Sequence, residues 1–384
     1  MMKRLPLLVL FVGLFSRSIL AGESEVLQSR TGPFRLEKQV CGLNVPWSLA
    51  FLPDGQLLVS ERPGNLRLVS RTGNSFTVSP PLEGVPKVHA RGQGGLLDIV
   101  LSPRFADDKT LFFSYAEPTP NGARTAVARA VLDLRNQRLT DVRVIFAQQD
   151  ELPGHLHWGS RLVFGRDGRL FITLGERFHR RDQAQNLGSH LGKVVRIEPD
   201  GGIPADNPFR GRTGAKPEIW SYGHRNVQGA ALHPRTGELW THEHGPQGGD
   251  EVNRDLPGRN YGWPVITYGK EYGSGKDIGE GATRADVEPP LWYWVPSIAP
   301  SGMTFYTGGA FPRWQGNLFV GALRGELSRL ELQGDKIVRE ERLLTGKGMR
   351  IRDVRQGPEG GLWLLEEIEG CILSLQPEAG KKQG

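Results

Sequence analysis

Histidine residues are the first candidates for proton-transfer chemistry. In the segment HLHWGS, His155 and His157 are separated by one residue, so in a strand their imidazoles would lie on one face. A neutral imidazole can remove a proton near neutral pH. Glu176 follows a later strand, LFITLG, and its carboxylate could orient one of the two rings. A histidine in a strand is more often structural, so the pattern alone leaves both roles open.

Arginine residues suggest a site for an anion. Arg225 and Asn226 stand side by side in SYGHRNVQG, and such a pair can bind a carboxylate or a carbonyl oxygen through a planar fork. Arg350 and Arg352 in GMRIRDVRQG would share one strand face beside a hairpin, which favours a ligand with several carboxylates. Arg324 in GALRG adds a further cation. Each motif taken alone is also compatible with solvated surface arginines.

The segment 241–264, THEHGPQGGDEVNRDLPGRNYGWP, is typical of a loop that binds a hard cation. Gly245 and Pro246 offer backbone carbonyls, and Asp250 and Glu251 offer carboxylates, a donor set that suits Ca²⁺ better than a transition metal. The triplet HEH lacks the HExxH spacing and no cysteine cluster accompanies it, which disfavours zinc.

Six imperfect repeats would bring these residues together. Each copy combines an apolar strand, a tight turn of the P-D-G type and a second strand with period-two alternation. The copies span residues 47–69, 95–117, 160–177, 229–245, 301–332 and 351–375. They predict an all-β fold, a six-bladed β-propeller of four-stranded antiparallel blades, with a pair of β-sandwiches as the alternative. In a propeller, loops from distant repeats meet at one mouth.

Length and composition agree with one large β-domain. The 384 residues include 51 glycines, nine tryptophans and sixteen phenylalanines, which suits a turn-rich fold with a sizeable core and argues against disorder. Residues 1–21 have the basic, apolar and small-residue order of a secretory signal, although an uncleaved anchor is the alternative. We therefore expect a signal peptide at 1–21 and a single domain at 22–384.

Charge and cysteine content narrow the class of protein further. Cleavage after residue 21 removes three of the 48 basic residues and none of the 42 acidic ones, which lowers the formal net charge from +6 to +3. A nearly neutral chain gives little support for a nucleic-acid partner. Cys41 and Cys371 lie near the two ends, and an exported protein permits a disulfide between them if the ends meet. Two buried thiols are the alternative.

The chain resembles the soluble, secreted quinoprotein sugar dehydrogenases that use pyrroloquinoline quinone (PQQ), in particular their aldose sugar dehydrogenase branch. The likeness covers about residues 42–377. The stretches that carry it occur in the family's order: RGQGGLLDIVLSPRF, HWGSRLVFGRDGRLFITLGE, IPADNPF, EIWSYGHRNVQG, EHGPQGGDEVNRDLPGRNYGWP and RIRDVRQGPEG. The family fold is a six-bladed propeller, in agreement with the repeat count.

The resemblance implies roles for individual residues. His157 matches the family's proton-abstracting base, Glu176 an acid beside it, and Arg225 a group that stabilises developing negative charge. The positions that match contacts to the quinone are Gln93, Arg225, Asn226, Tyr272, Ala322, Leu323, Arg324, Gly325, Arg350, Ile351 and Arg352. Those that match calcium sites are Gly245 and Pro246 for a catalytic ion, and Glu251 and Tyr261 for a structural one. At position 324 this chain has arginine where the family has lysine, so a planar guanidinium fork replaces the point charge of an ammonium group.

The activity that the resemblance implies is oxidation of an aldose at its anomeric carbon to a lactone. A hydride would pass to PQQ, with Ca²⁺ polarising the quinone. Because the sequence has no CxxCH haem-attachment motif, electrons would leave to an external quinone or cytochrome. The protein would be exported across the inner membrane to the periplasm without stable membrane insertion, and a monomer is favoured over a homodimer. A Ca²⁺-dependent propeller lactonase or esterase and a non-catalytic secreted propeller that binds sugar or protein are the alternatives.

Overall fold

Six antiparallel sheets make up the fold, and the prediction of a six-bladed propeller is confirmed. The computed structural model describes residues 22–73 and 75–378, so the signal peptide predicted at 1–21 lies outside them. Two strands precede the first repeat, β1 (Ser24–Ser29) and β2 (Gly32–Val40). Among the described residues no helix is long and apolar enough to cross a membrane.

Each of the first five blades is one continuous four-stranded piece of chain. Blade 1 contains β3 (Pro46–Phe51), β4 (Leu57–Glu61), β5 (Asn65–Thr72) and β6 (Ser75–Val78). Blade 2 contains β7 (Leu96–Leu101), β8 (Thr110–Thr119), β9 (Gly122–Asp133) and β10 (Arg138–Ala147), and blade 3 contains β11 (Gly159–Phe164), β12 (Leu170–Leu174), β13 (Lys193–Ile197) and β14 (Ile219–Tyr222). Blade 4 contains β15 (Val227–Leu232), β16 (Leu239–Glu243), β17 (Asp250–Asp255) and β18 (Trp292–Trp294). Blade 5 contains β19 (Pro300–Phe305), β20 (Leu318–Ala322), β21 (Leu327–Gln333) and β22 (Lys336–Leu343).

Blade 6 combines the two ends of the chain. Its strands β23 (Ile351–Gln356), β24 (Leu362–Glu366) and β25 (Cys371–Pro377) are completed by β2, with β1 as a fifth, outer strand. Cys41 and Cys371 form a disulfide that bridges 330 positions of sequence, so of the two alternatives for the cysteines the bonded one holds. The first strand of each blade contacts that of the next, and β23 contacts β3, which closes the ring.

Helical structure is confined to short connections. The described residues contain one α-helix, α1 (Phe105–Asp108), and two 3₁₀-helices, Arg181–Gln185 and Pro312–Trp314. The second strands of blades 1 and 3–6 are buried along their whole length because neighbouring blades cover both faces. Apolar clusters fill the spaces between blades; one joins Phe112 and Val127 of blade 2 to Leu162 and Leu170 of blade 3.

A buried ion network joins the inner strands near the axis. Arg161 Nη1 lies 3.0 Å from Asp98 Oδ1 and 3.1 Å from Asp353 Oδ1. Arg355 pairs with the same two carboxylates at 2.9 and 2.8 Å. Two positive and two negative charges therefore offset one another across blades 2, 3 and 6, which is how buried charges are tolerated.

Candidate active site

One topological rule explains which residues meet at the mouth. The first and second strands of a blade are antiparallel, so the start of the first and the end of the second lie at the same end of the blade. His157 and Asn226 stand one or two positions before a first strand, and Glu176, His244 and Glu367 one or two positions after a second strand. Distant parts of the chain are thereby brought to one end of the propeller.

The centre of the site is a histidine–carboxylate pair. His157 Nδ1 lies 3.1 Å from Glu176 Oε1, and the two side chains are almost fully buried. Burial lowers the pKa of His157 below its ordinary value of 6.5; the hydrogen bond with Glu176 opposes that shift, and the charge of Arg225 adds to it. A neutral imidazole therefore persists at neutral pH, as a general base requires.

The backbone around the pair is held in an unusual conformation. His157 has φ +53°, and Arg177 and Phe178 next to Glu176 have φ of +62° and +65°. Residues other than glycine rarely adopt a positive φ, and such backbone strain often occurs at functional sites. The amide of His157 donates to Gln93 Oε1 at 2.8 Å, which holds the strained residue.

The prediction that His155 and His157 share a strand face is wrong. Both residues lie in the connection before β11, and the positive φ at His157 turns its ring away from strand geometry. His157 points inward to Glu176, whereas His155 is exposed and lies against His89 with 3.1 Å between ring nitrogens. Glu176 therefore contacts only one of the two candidates.

Arg225 and Asn226 lie in the connection between β14 and β15, at the same mouth as His157 and Glu176. Arg225 Nη1 donates to the carbonyl of Gly245 at 2.6 Å and to that of His244 at 3.1 Å. Asn226 Oδ1 accepts from the amide of Gly159 at 3.1 Å. Within the described chain, Arg225 Nε and Asn226 Nδ2 are buried donors without a hydrogen-bond partner. Such donors are costly unless a ligand or water satisfies them.

A second cationic group lies on the blade 6 side of the mouth. Glu367 Oε2 accepts from Arg350 Nε at 2.9 Å and from Arg352 Nη2 at 2.8 Å, and Glu367 Oε1 lies 3.6 Å from Arg62 Nη1. The anion nearest to the predicted arginine pair is therefore a carboxylate of the chain itself. Three guanidinium groups against one carboxylate leave an excess of two positive charges. Arg62, Arg350 and Arg352 line a cleft together with Trp47, Gln93, Trp158, Gln228, His244 and Leu323.

The remaining predicted quinone contacts differ in how they face the mouth. Tyr272 is 55% exposed, and Arg225 lies over its ring at 5.9 Å from the centroid. The carbonyl of Leu323 accepts from Arg350 Nη1 at 3.4 Å, whereas Arg324 points to solvent. Ala322 is buried at the end of β20, and Gly325 in the turn that follows has φ +98°. The side chain of Ile351 packs in the core between blades 5 and 6. Ile351 can thus reach a ligand only through its backbone.

The predicted calcium loop is the β16–β17 connection, residues 244–249, with its flanks. The sequence predicts Asp250 as a cation ligand, but its carboxylate accepts hydrogen bonds from the amides of Gly245, Ile298 and Ala299, at 2.9, 2.8 and 3.0 Å. Asp250 therefore fixes the loop that carries Gly245 and Pro246. Each of its oxygens accepts at least one amide hydrogen bond, and its role as a cation ligand stays a prediction.

Glu251 and Tyr261 lie close to each other beneath this loop. Both line a small pocket with Glu243, and burial together with the neighbouring charge of Glu243 raises the pKa of Glu251 well above its ordinary value. The Tyr261 hydroxyl donates to the carbonyl of Arg254 at 2.6 Å and accepts from the amide of Leu256 at 2.7 Å, which leaves its backbone carbonyl as a possible metal ligand. Over residues 22–73 and 75–378, no three histidine, cysteine or acidic side chains converge as a metal centre.

Several residues of the mouth escape sequence reasoning. Arg62 directly follows β4 and Glu367 directly follows β24, one position nearer to the strand end than Glu176 is to the end of β12. The end of the second strand of each repeat is therefore the signal in the sequence that points to both residues. Trp47 offers no such signal, because an apolar residue in an inner strand is ordinarily part of a core.

Comparison with known proteins agrees with this geometry. The family model described as glucose/sorbosone dehydrogenase matches residues 43–374, which is most of the chain. The chain belongs to the glucose/sorbosone dehydrogenase family. Membership places this protein in a family of oxidoreductases that act on sugars, and the resemblance stated from the motifs is confirmed.

Individual members of the glucose/sorbosone dehydrogenase family support the assignment. Aldose sugar dehydrogenase YliI of Escherichia coli is 47% identical over 341 residues, which cover 87% of this chain and 91% of that protein. The apo-form structure of soluble aldose sugar dehydrogenase from Escherichia coli has a TM-score of 0.86 at 45% identity and covers 90% of this chain and all of that one. The PQQ-bound aldose sugar dehydrogenase of Streptomyces coelicolor has a TM-score of 0.70 at 30% identity, covering 92% and 98%.

Proposed function

We propose that this member of the glucose/sorbosone dehydrogenase family is a PQQ-dependent aldose dehydrogenase that uses Ca²⁺. The observation that carries the proposal is the buried His157–Glu176 pair, which shares one mouth with an excess of guanidinium groups. A base next to an anion-binding cleft suits a reaction in which a sugar loses a proton and a hydride beside a polyanionic cofactor.

The residues at the mouth fit a planar, multiply charged quinone. Arg62, Arg350 and Arg352 bring three positive charges against the single charge of Glu367, so an anionic ligand would gain from electrostatic attraction there. Carbonyl or carboxylate oxygens of the ligand could accept from Arg225 Nε and Asn226 Nδ2, which lack partners within the described chain. Trp47 and Trp158 provide apolar walls in the same cleft.

The neighbouring loop fits Ca²⁺ through backbone oxygens more than through side chains. Gly245 and Pro246 would present carbonyls, held in place because Asp250 accepts from the Gly245 amide. The Gly245 carbonyl accepts from Arg225 Nη1 at 2.6 Å, so the ion would have to share that oxygen with the guanidinium or displace it. At the second site, a cation would offset the charge of Glu251, a half-buried residue that lies opposite Glu243 in the sheet. Sites with few charged ligands usually bind the ion with modest affinity.

The chain's own residues account for the proton transfer. In the neutral state His157 would accept the proton of the sugar's anomeric hydroxyl, and Glu176, 3.1 Å from Nδ1, would stabilise the imidazolium that results. Burial of the pair excludes water that would compete for the proton. A bound PQQ would supply the hydride acceptor that the chain's own residues lack, and Ca²⁺ would supply Lewis acidity beside it.

Arg225 would serve the same reaction electrostatically. Its guanidinium is buried, lies against the rings of Trp263 and Tyr272, and is fixed by the carbonyls of His244 and Gly245. A cation fixed in a dry site stabilises developing negative charge without having to reorganise. The product of the reaction would be a lactone.

We extend the proposal to export into the periplasm, where an external quinone or cytochrome would accept the electrons. The disulfide between Cys41 and Cys371 supports export, because such bonds persist mainly in oxidising compartments. The experiment that tests the function is titration of the purified mature protein with PQQ, followed by optical absorbance and by sugar-dependent reduction of a dye. Hydrolysis of lactones without any electron acceptor would instead favour a hydrolase.

A further inference from the structure

A pair of histidine rings at the rim of the mouth takes no part in the proposed reaction. His89 Nε2 and His155 Nδ1 lie 3.1 Å apart, and the rings are stacked with their centroids 5.2 Å apart. His89 stands between β6 and β7, and His155 between β10 and β11, so the connections to two first strands meet here. We propose that this pair binds a divalent transition-metal ion, Cu²⁺ most tightly.

The backbone on both sides of the pair is held in place. The amide of His89 donates to the carbonyl of Ala116 at 2.8 Å. The carbonyl of His155 accepts from the amide of Gln93 at 2.8 Å and from Trp158 Nε1 at 3.0 Å. The ring of His89 also lies 6.0 Å from that of Trp158, measured between centroids. Two imidazoles on anchored segments lose little freedom when a metal binds, which favours chelation.

The distance between the nitrogens selects the type of ion. Nitrogens 3.1 Å apart, each about 2.05 Å from a metal, subtend an angle of about 98° at that metal. This angle lies nearer to the 90° between neighbouring ligands in tetragonal geometry than to the wider tetrahedral angle, which favours Cu²⁺ and Ni²⁺ over Zn²⁺. To face the metal, the lone pair of each ring nitrogen would have to point about 40° away from the line that joins the two nitrogens. His155 is exposed and His89 is partly exposed, so both rings have room to rotate.

The charges around the pair disfavour hard cations. Arg91 and Arg177 lie close enough to His89 to act on its ring electrostatically. Among the residues that the structure describes, the histidines that form ion pairs with carboxylates are residues other than His89 and His155. No carboxylate of the described chain pairs with either ring and two arginines lie nearby, which disfavours Ca²⁺ and Mg²⁺, whereas the covalent character of Cu²⁺–imidazole bonds overcomes the repulsion. Water would complete the coordination.

The test is a calorimetric titration of the purified protein with Cu²⁺, in the absence of quinone, calcium and sugar. We expect one site per chain, weaker binding of Ni²⁺ and Zn²⁺, and no heat of binding with Mg²⁺. The substitutions His89→Gln and His155→Gln should each weaken Cu²⁺ binding by at least about tenfold. His179→Gln is the matched control, because His179 is an exposed histidine outside the pair and should leave binding unchanged.

Electron paramagnetic resonance of the Cu²⁺ complex gives an independent readout. Hyperfine structure from two nitrogens should appear in the unmodified protein and from one nitrogen in each single variant. Wild-type affinity in both His89→Gln and His155→Gln, or an equal loss in His179→Gln, would overturn the proposal. Thermal unfolding of each variant shows whether it folds. Because neither measurement uses quinone or sugar, failure here leaves the proposed dehydrogenase activity untouched.

Discussion

His157 Nδ1 lies 3.1 Å from Oε1 of Glu176, although 19 positions of sequence separate the two residues. The contact forms because His157 precedes the first strand of blade 3 and Glu176 follows its second strand. The pair is buried, and the backbone at His157 is held at φ +53° by the hydrogen bond to Gln93. A strained, buried imidazole with a fixed carboxylate is the arrangement that the proposed proton abstraction requires.

Substitution of the base should abolish turnover but spare the cofactor site. His157→Ala is expected to lower kcat by about 10²–10⁴-fold, the usual contribution of a positioned general base. The affinity for PQQ, measured by absorbance titration, should change little, because the arginine groups do not depend on the imidazole. His179→Ala serves as the control with normal turnover. A variant that turns over normally would remove His157 from the mechanism.

The pH dependence of the reaction should report the environment of His157. Its pKa lies below 6.5, and the base acts when neutral, so kcat/KM should fall only as the pH drops through that lowered value. Glu176 opposes the lowering, so Glu176→Gln should lower the pKa further and move the acid limb to lower pH. The same variant should reduce kcat, because the imidazolium loses its partner. An acid limb that moves to higher pH would contradict this role for Glu176.

Loss of one buried arginine should weaken cofactor binding. Arg352→Ala removes a guanidinium group that is almost fully buried at the cleft. We expect the dissociation constant for PQQ to rise at least about thirtyfold, because truncating one partner of a buried charge pair costs about 2 kcal/mol or more. Arg143→Ala, at an arginine whose side chain is 69% exposed on β10, is the matched control. Equal affinities for the two variants would place the anion site elsewhere.

Removal of the disulfide should destabilise closure of the propeller. The bond joins the segment after β2 to the start of β25, in the blade built from both chain ends. The paired substitution Cys41→Ser with Cys371→Ser is expected to lower the free energy of unfolding by about 2–5 kcal/mol. Thermal unfolding measures this, and added reductant should lower the midpoint of the unmodified protein in the same direction. A midpoint unchanged by both treatments would show that β-strand pairing alone closes the ring.

A glycine below the mouth should not tolerate a side chain. A Cβ at Gly229 would stand 2.0 Å from Nε2 of His242, whose imidazole is fully buried. Gly229→Ala should therefore destabilise the fold by about 1–3 kcal/mol, as overpacking does. Gly309→Ala is the control, since nothing lies within 4 Å of its Cβ position. Equal unfolding midpoints in urea for the two variants would contradict the packing described here.

The sequence predicts the blades well because each repeat encodes its own strands and turn. Alternating apolar residues and tight turns act locally, and six copies imply closure. The role of the N-terminal strand β2 is not local, because its partner β25 lies more than 300 positions away. The spacing of the cysteines hinted at this contact but did not exclude two separate thiols.

The candidate site is predictable in composition but less so in geometry. The motifs place Arg225 between a strand and a loop, where the structure finds it, whereas His157 and Arg350, expected within strands, lie just before β11 and β23. The expected shared face of His155 and His157 fails because a left-handed backbone at His157 separates the rings. Asp250 is used by backbone amides, which no sequence pattern reveals.

The most direct test of the proposed function is a dye-linked assay of the mature protein with a panel of aldoses, with and without PQQ and Ca²⁺. Sugar-dependent dye reduction that requires both additions, and that is lost in His157→Ala while PQQ still binds, is the expected result. No reduction with any aldose, in protein that is folded and shows no PQQ binding, would contradict the assignment of this mouth to a quinone-dependent dehydrogenase.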